Sequence, residues 1–323
     1  GMPNICKRMW GGWVIVAAVL ASFTTAAGGA TVRTLVVVDE MSVPTTHSQF
    51  LAALEAQGHS LTIAKADDSE LGLLQLGEWG YDNLALLAPS AQEFGGTLDA
   101  GEVKRFMDSG RNVLVALAPE GAGMGREVAQ MCDITADGLG GTVQDHFGFD
   151  GEDDGSHTLI VSNGFGDTPT ILDKGAKAGG VLFRGVGMAN IMENPLVIPI
   201  LTASSSAYTS KLSEPLSDGA LAQGTRTLLV AAMQAKNNAR CTVSGSLEMF
   251  SDAFFNAQVS PGGEGKVPSG NREFSEDLSE WAFGRKGVLR ISGELSYRVA
   301  GSAERNPATL RIGEEVEAEA TVE

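Results

Sequence analysis

Thr34-Leu-Val-Val-Val38, followed by Asp39, is the stretch that decides the fold class of this 323-residue chain. An uninterrupted apolar run of this length is typical of a strand that is buried on both faces of a sheet. Three further runs follow the same pattern, namely Ser60–Ala64, Leu84–Ala88 and Asn112–Ala118. The sequence therefore predicts a sheet of buried, parallel strands.

Helical patterns separate these runs. Thr46–Gln57 carries apolar residues at helical spacing, and Asp99 with Glu102 has the spacing of a capping box at the start of a second helix. Glu127–Cys132 continues the alternation, and Phe274–Phe283 adds a later helix. Strands that alternate with helices favour a three-layer α/β domain. We expect three of its residues on central parallel strands: Val36, Leu86 and Val115.

The rest of the chain is less regular. Gly138–Gly155 is rich in Gly and Asp and is interpreted as a surface loop. From Gly287 onward, short alternating segments indicate the beginning of a β-rich domain. The predicted organisation is a signal peptide over residues 1–30, an α/β domain over 31–286, and the start of a β domain over 287–323.

The first thirty residues have the layout of a secretory signal peptide. Lys7 and Arg8 provide a positive start, Trp13–Phe23 is apolar, and Thr24–Ala30 consists of small residues. The apolar run is shorter than the roughly 20 residues that span a bilayer as a helix. The alternative is an uncleaved anchor. Without the signal, two cysteines remain, Cys132 and Cys241; they could pair in an oxidising lumen, or both could be buried thiols.

The charge balance excludes one class of partner. The chain has 23 basic and 40 acidic residues and a net charge of −17. Binding of nucleic acid requires a basic surface, so no nucleic-acid partner is expected. The acidity indicates either a well-solvated surface or a face for a basic partner.

The patterns of common catalytic sites are missing from the sequence. The segment after the first strand contains no glycine and so lacks a phosphate-binding loop. The turn after Asn112–Ala118, Pro119-Glu-Gly-Ala-Gly123, offers no Ser or Cys as the nucleophile of a strand-to-helix elbow. The four histidines show no zinc-binding spacing. We expect no catalytic residue, no cofactor and no metal.

One group of polar residues is a candidate pocket. Asp39 and His47 follow the first predicted strand, and Asp67 and Asp68 follow the second. Open α/β sheets bind ligands at the carboxyl ends of their strands, where these residues are expected. Helix capping and solvation of loops would explain the same residues.

A set of short phrases gives the chain a family resemblance. In order they are Thr34–Asp39, Thr46–Ser48, Ala66–Asp68, Tyr81–Leu84, Pro89-Ser90, Phe94–Gly96, His157–Val161, Phe183–Met188, Asn237–Arg240, Gly245–Leu247 and Phe250–Phe255. Together they resemble the forty-eight-kilodalton subunits of oligosaccharyltransferase, from about Arg33 to the end of the chain. Each phrase alone is weak, whereas the ordered set is highly specific.

The resemblance implies a function. Members of this family are non-catalytic accessory subunits, made in the endoplasmic reticulum with a cleaved signal, and their large lumenal domain is similar to class I glutamine amidotransferases. The implied partners are the other subunits, including the catalytic one, and the dolichol-linked oligosaccharide that is transferred to asparagine. Family members continue through a β domain to a C-terminal membrane helix, whereas the given sequence stops at Glu323 before such a helix. We interpret the sequence as either a fragment or a chain that ends early. The alternatives are an amidotransferase-like hydrolase and a lumenal carbohydrate-binding module, with Trp79, Tyr81 and Trp281 as candidate sugar platforms.

The densest parts of the resemblance are candidate contacts with other subunits. They contain Arg184, Met188, Phe250 and Phe254. Their apolar content also fits core packing and tight turns.

Overall fold

The computed structural model describes residues 7–8, 31–121, 123–173, 175–177, 179–212, 221–260, 265–288, 291–307, 309–310 and 314–322. Apart from Lys7 and Arg8, the predicted signal peptide lies outside these residues. The chain divides into two compact units, residues 31–287 and residues 1–30 with 288–323.

The strands are β1 Lys7–Arg8, β2 Val32–Val38, β3 His59–Lys65, β4 Leu74–Gln75, β5 Glu78–Trp79, β6 Asn83–Leu87, β7 Asn112–Ala116, β8 Thr135–Ala136, β9 Gly141–Gln144, β10 Ile160–Ser162, β11 Gly164–Phe165, β12 Val181–Phe183, β13 Met188–Ala189, β14 Val197–Thr202, β15 Tyr208–Lys211, β16 Leu228–Gln234, β17 Arg240–Ser244, β18 Gln258–Val259, β19 Val267–Pro268, β20 Ile291–Val299 and β21 Val316–Val322. The α-helices are α1 Val43–Thr46, α2 Ser48–Ala56, α3 Ala100–Asp108, α4 Met124–Met131, α5 Asp252–Phe255 and α6 Asn271–Ala282. Gly224–Arg226 and Glu248–Phe250 are 3-10 helices.

The described residues form a ten-stranded sheet whose main path is β11-β14-β16-β17-β7-β6-β2-β3. From β3 to β17 all neighbouring strands are parallel. Strand β2 lies between β3 and β6, and β7 lies between β6 and β17. The prediction that Val36, Leu86 and Val115 lie on central parallel strands is confirmed, since all three are buried in these strands.

Each face of this sheet is covered by helices, which gives three layers. On one face Val36, Ala85 and Leu114 belong to a core that includes side chains of α2 and α6. On the other face Leu35, Leu84 and Val113 belong to a second core with side chains of α3 and α4. Because nearly every residue of β2, β6 and β7 meets a core on its own side, these strands are continuous apolar runs. Strand β3, at the edge of the sheet, is mostly exposed or half-buried, so the prediction of a buried run at Ser60–Ala64 is wrong. The predicted α/β class is confirmed.

The capping signal at the start of α3 is also confirmed. The side chain of Asp99 accepts a hydrogen bond from the backbone N–H of Glu102 at 2.6 Å, which satisfies one of the unpaired donors of the first helical turn. The carboxylate of Glu102 turns inward and accepts a hydrogen bond from Leu73 N at 3.3 Å. The cap therefore joins α3 to the segment before β4.

The other half of the sheet is antiparallel. Strand β16 pairs with both β17 and β14, and β14 pairs with β11. One interpretation of the sequence is wrong here: Gly138–Gly155 is not wholly loop, because it contains β9, whose four residues are all buried. Strand β9 pairs with β15, a segment about 65 residues further along the chain, and local sequence does not reveal such a distant pairing.

The two cysteines that could pair do so. Cys132, at the end of α4, forms a disulfide with Cys241 in β17, with a separation of 109 residues along the chain. Both residues are buried in the core on the α3 and α4 side of the sheet. The bond therefore ties a helix of that layer to the strand at which the sheet changes from parallel to antiparallel.

The smaller unit contains β structure. Strand β20 pairs antiparallel with β21, with a register shift between Ser292 and Ser296, and β1 pairs antiparallel with β21. The division of the chain into a signal peptide and two domains stays a prediction. None of the helices in the described residues is both long and apolar enough to cross a membrane.

Candidate functional site

A polar depression lies at the carboxyl ends of the parallel strands. Asp39 follows β2, Asp67 follows β3 and Ser90 follows β6, so the sheet brings the three residues to one edge. The depression has a volume of about 480 Å³ and is lined by Asp39, Glu40, Ser42, Val43, Ala66, Asp67, Ser90, Ala91 and Glu93. Its lining thus includes four carboxylates and two hydroxyl groups.

Two of these carboxylates, those of Asp39 and Asp67, already have hydrogen-bond partners within the chain. Asp39 accepts a hydrogen bond from Ser90 N at 3.0 Å, which links the ends of β2 and β6. Asp67 accepts a hydrogen bond from Lys65 Nζ at 2.7 Å, and this bond lowers the pKa of Asp67. Within the described part of the chain, no group of three or more His, Cys, Asp or Glu side chains is arranged to hold a metal ion.

The structure brings Asp39 and Asp67 together but does not add His47 or Asp68 to the lining. The ring of His47 is buried, with Nε2 3.2 Å from the carbonyl of Leu247 and Nδ1 2.9 Å from Thr46 Oγ1. Burial lowers the pKa of His47, because the charged form loses its hydration. Asp68 accepts a hydrogen bond from Glu70 N at 2.9 Å and so closes its own turn.

The turn after β7 is held by a residue that the sequence reading missed. The guanidinium of Arg126, on α4, donates hydrogen bonds to the carbonyls of Gly121 and Asp137, and it reaches Pro119 O at 3.2 Å and Ala118 O at 3.4 Å. Burial lowers the pKa of Arg126, and the carbonyl oxygens compensate for the lost hydration by accepting hydrogen bonds from the guanidinium. The only signal in the sequence was an arginine in the first turn of a helix that follows a glycine-rich turn.

Of the four predicted subunit contacts, only Arg184 is exposed. Its Nε lies 3.8 Å from Glu248 Oε2. Met188, Phe250 and Phe254 are buried within the chain, so their side chains are not on the surface, and the interpretation as core is the correct one for these three. Phe250 shows the reason, because its ring packs 4.7 Å from the ring of Phe50 on α2.

The aromatic residues proposed as sugar platforms also pack inward. Trp281 is buried beneath Arg240, whose guanidinium carbon lies 4.4 Å from the ring centroid. Trp79 makes an edge contact with Phe106 at 5.3 Å. Tyr81 is partly buried and packs against the core on the α3 side of the sheet. None of the three is an open platform.

Comparisons with known proteins agree with the resemblance seen in the sequence. Residues 25–285 match the family model of the OST48 N-terminal domain. The chain is 40% identical over 290 residues to the 48 kDa subunit of dolichyl-diphosphooligosaccharide–protein glycosyltransferase from Danio rerio, covering 88% of this chain and 65% of that protein. It is 36% identical over 289 residues to the subunit of the same name from Arabidopsis thaliana, covering 88% and 66%. The chain thus spans less than two thirds of the length of these relatives.

Among solved structures, the chain is similar to the crystal structure of a ThuA-like protein from Parabacteroides merdae. The TM-score is 0.45 at 12% sequence identity, and the match covers 81% of this chain and 93% of that one.

Proposed function

Because the chain belongs to the OST48 family, we propose that it works as an accessory subunit of oligosaccharyltransferase that carries no catalytic group of its own. In this role it supports the transfer of dolichol-linked oligosaccharide to asparagine by a separate catalytic subunit. Its place is the lumenal side of the endoplasmic reticulum, and its partners are the other subunits of the complex.

The observation that carries the non-catalytic part of the proposal is the turn after β7. In an α/β hydrolase-like site this turn would present a nucleophile at the carboxyl edge of the sheet. Here Arg126 binds the backbone carbonyls on both sides of the turn, and the sequence offers no Ser or Cys there. A guanidinium is neither a nucleophile nor, with a pKa far above neutrality, a proton acceptor. This geometry favours a structural role for the turn.

The disulfide supports a location in the secretory pathway. Disulfides form and persist in oxidising compartments and are rare in the cytosol. Cys132 and Cys241 are both buried, so their bond is protected from exchange with small thiols in solution. This agrees with the signal peptide predicted from residues 1–30.

Arg184 is the residue that we propose for contact with another subunit. It is the one exposed member of the four candidates, and its ion pair with Glu248 at 3.8 Å is long and open to solvent. Such a pair contributes little to the stability of the fold, so Arg184 is available to a partner. Lys104 provides a matched control, since it also forms an exposed ion pair, with Asp108 at 2.6 Å on α3.

The test is depletion of the protein in cells, followed by rescue with the wild type, Arg184→Glu or Lys104→Glu. We expect wild type and Lys104→Glu to restore glycosylation of a reporter protein and co-purification of the other subunits. Arg184→Glu should accumulate normally but co-purify poorly, because reversal of a charge at an interface can cost several kcal/mol. Normal glycosylation after complete depletion, or transfer activity of the purified chain alone, would refute the proposed function.

A further inference from the structure

The two edges of the large sheet differ in length and in exposure. One edge is β11, which has two residues, and the other is β3, which has seven. Among the described strands, only β2 pairs with β3. Four residues of β3 are exposed, namely Ser60, Thr62, Ile63 and Lys65. The outer side of β3 is therefore long and open to solvent, and we call it the β3 edge.

The hydrogen bonds to β2 show which backbone groups of β3 point away from the sheet. In a parallel ladder, alternate residues of a strand bond to a given neighbour, and the residues between them direct their N–H and C=O to the other side. At one end of the ladder, Val32 N donates to Gly58 O at 3.4 Å. At the other end, Ala66 N donates to Val38 O at 2.8 Å. The even-numbered residues of β3 therefore face β2, and the odd-numbered residues face outward.

Leu61 and Ile63, at the centre of the β3 edge, direct their N–H and C=O groups to solvent. Among the residues that the structure describes, none bonds to these groups. Strand β3 also has none of the features that protect an edge from pairing. It contains no proline, its pairing with β2 runs without a bulge, and its charged residue, Lys65, stands at its end. A row of free donors and acceptors of this kind fits another extended backbone, which repeats its own groups at the same interval.

The side chains along the β3 edge define the chemistry of the segment that fits it. Leu61 and Ile63 lie on the same face of the sheet, since residues two apart on a strand share a face. Leu61 packs at the border of the core that includes α2, and Ile63 is 36% exposed. On the opposite face, Ser60 and Thr62 carry hydroxyl groups. A complementary strand therefore has apolar residues opposite Leu61 and Ile63, and polar residues between them.

A cation lies at the start of the β3 edge. A Cβ atom placed on Gly58 would be 3.2 Å from Nη2 of Arg285, so the guanidinium lies beside the residue that precedes β3. Arg285 is exposed, and its side chain forms no hydrogen bond or ion pair with any described residue. The chain has a net charge of −17, so most of its cations have acidic neighbours to choose from. An arginine that uses none of them favours an occupant that brings its own carboxylate.

We propose that the β3 edge binds an extended segment of another subunit, which adds one strand to the large sheet. The segment alternates apolar and polar residues and carries an Asp or Glu at the end that lies beside Arg285. Its backbone bonds to Leu61 and Ile63 provide affinity, and its alternating side chains provide specificity. The inference rests on the proposed function, in which the chain works in a complex with other subunits.

Amide hydrogen exchange resolved to single residues would test the added strand directly. The free full chain is compared with the complex isolated through a tag on this protein. We expect the amides of Leu61 and Ile63 to exchange at least about tenfold more slowly in the complex, because each gains an acceptor. The amides of Thr62 and Ala64 face β2 in both states and should change less. Equal exchange of Leu61 and Ile63 in the two states would overturn the inference.

Substitutions at Ile63 test the same contact in cells that have been depleted of the protein. Ile63→Pro removes an N–H that points outward and keeps the bonds from β3 to β2, so the variant should fold. We expect at least one co-purifying subunit to fall about tenfold, because the proline ring occupies the place of the added strand. Ile63→Lys, which puts a charge at the centre of the edge, is a second variant in case proline impairs folding. Arg285→Gln should cost about threefold, since it removes one exposed ion pair.

The matched control is Ile191→Lys, at an isoleucine that is 54% exposed in the segment between β13 and β14. It should co-purify with the other subunits as the wild type does. The inference is overturned if Ile63→Pro and Ile63→Lys both fold and co-purify normally. It is also overturned if the purified chain forms a concentration-dependent dimer in which Leu61 and Ile63 are protected, because the occupant is then a second copy.

The outcomes separate this inference from the proposed function. If depletion abolishes glycosylation and Ile63→Pro restores it with all its partners, the β3 edge is not the contact, while the proposed function stands. A wild-type chain that co-purifies with no other subunit overturns both.

Discussion

The two halves of the large sheet are built in different ways. In the parallel half, from β3 to β7, strands and helices follow one another at short intervals, and β2, β6 and β7 are buried on both faces. In the antiparallel half, from β17 to β11, short strands alternate with long loops. Strand β17, which joins this half to β7, begins more than a hundred residues after β7 ends. The parallel half is positioned by burial of continuous apolar runs. The antiparallel half needs contacts between residues that are far apart in sequence.

Specific hydrogen bonds and a disulfide connect these distant segments. The disulfide joins Cys132 to Cys241 of β17. In the same long stretch between β7 and β17, strand β12 of the separate β10-β12 sheet is held by the buried side chain of Asn271, which bonds both the N–H and the C=O of Leu182 at 2.8 Å. Arg240 donates to the carbonyls of Lys286 and Gly287 at 2.9 and 2.7 Å, as well as to Trp281 O. We infer that the parallel half is robust to the loss of any single polar contact, whereas the antiparallel half is not.

The largest effect is expected where the two halves share a core. Phe250 packs on Phe50 of α2, so truncation removes buried apolar contacts and leaves a cavity. Phe250→Ala should lower the free energy of unfolding by about 3–5 kcal/mol, and both halves should lose stability together. Urea unfolding followed by near-UV circular dichroism would measure this. Phe147→Ala is the control, since an exposed ring should change stability by less than about 0.5 kcal/mol.

Loss of the disulfide should lower the stability of the antiparallel half more than that of the parallel half. Replacing Cys132 and Cys241 by alanine together should lower the free energy of unfolding by about 2–5 kcal/mol, because the crosslink closes a long loop in the unfolded chain. Amide hydrogen exchange should accelerate first in β16 and β14 and later in β2 and β6. Urea unfolding in the presence of a reducing agent, which reaches the bond once the chain opens, should lower the stability of the wild type and leave the double variant unaffected. Equal acceleration in both halves would contradict the comparison.

A smaller loss is expected at Asn271. Asn271→Leu keeps a similar volume but leaves the N–H and C=O of Leu182 and the C=O of Met249 without their partner. A buried polar group that stays unpaired costs about 1–3 kcal/mol, and because neighbouring groups or water can pair the others, we expect a total loss in this range. Thermal unfolding of Asn271→Leu and of the exposed control Asn256→Leu would be compared. Equal melting temperatures would show that the fold does not depend on this contact between α6 and β12.

The smallest effect concerns pH and belongs to the parallel half. Burial, together with the charge of Arg285, lowers the pKa of His59 on β3 to about 4. Between pH 6.5 and about 4 the unfolded chain therefore binds a proton that the folded chain does not, so this residue makes stability fall as pH falls through that window. His59→Gln should flatten the decline of the melting temperature there. A slope for His59→Gln equal to that of the wild type would contradict this prediction.

The sequence by itself determined the α/β class, the central positions of Val36, Leu86 and Val115, and the cap at Asp99. These features depend on local patterns, because a strand buried on both faces must be apolar throughout and a helix start needs an acceptor close by. The family resemblance was also readable, since ordered phrases are a property of the chain alone. For the depression, the sequence placed Asp39 and Asp67 correctly at the carboxyl edge but could not show where their side chains point.

Only the tertiary structure decided the rest. It closed the disulfide, buried His47, Met188, Phe250 and Phe254, and placed Arg126 across the turn after β7. In each case the partners are distant in sequence or the side-chain direction depends on neighbours from another element. Residue type and spacing do not contain that information, because burial and hydrogen bonding between distant segments arise only when the chain has folded.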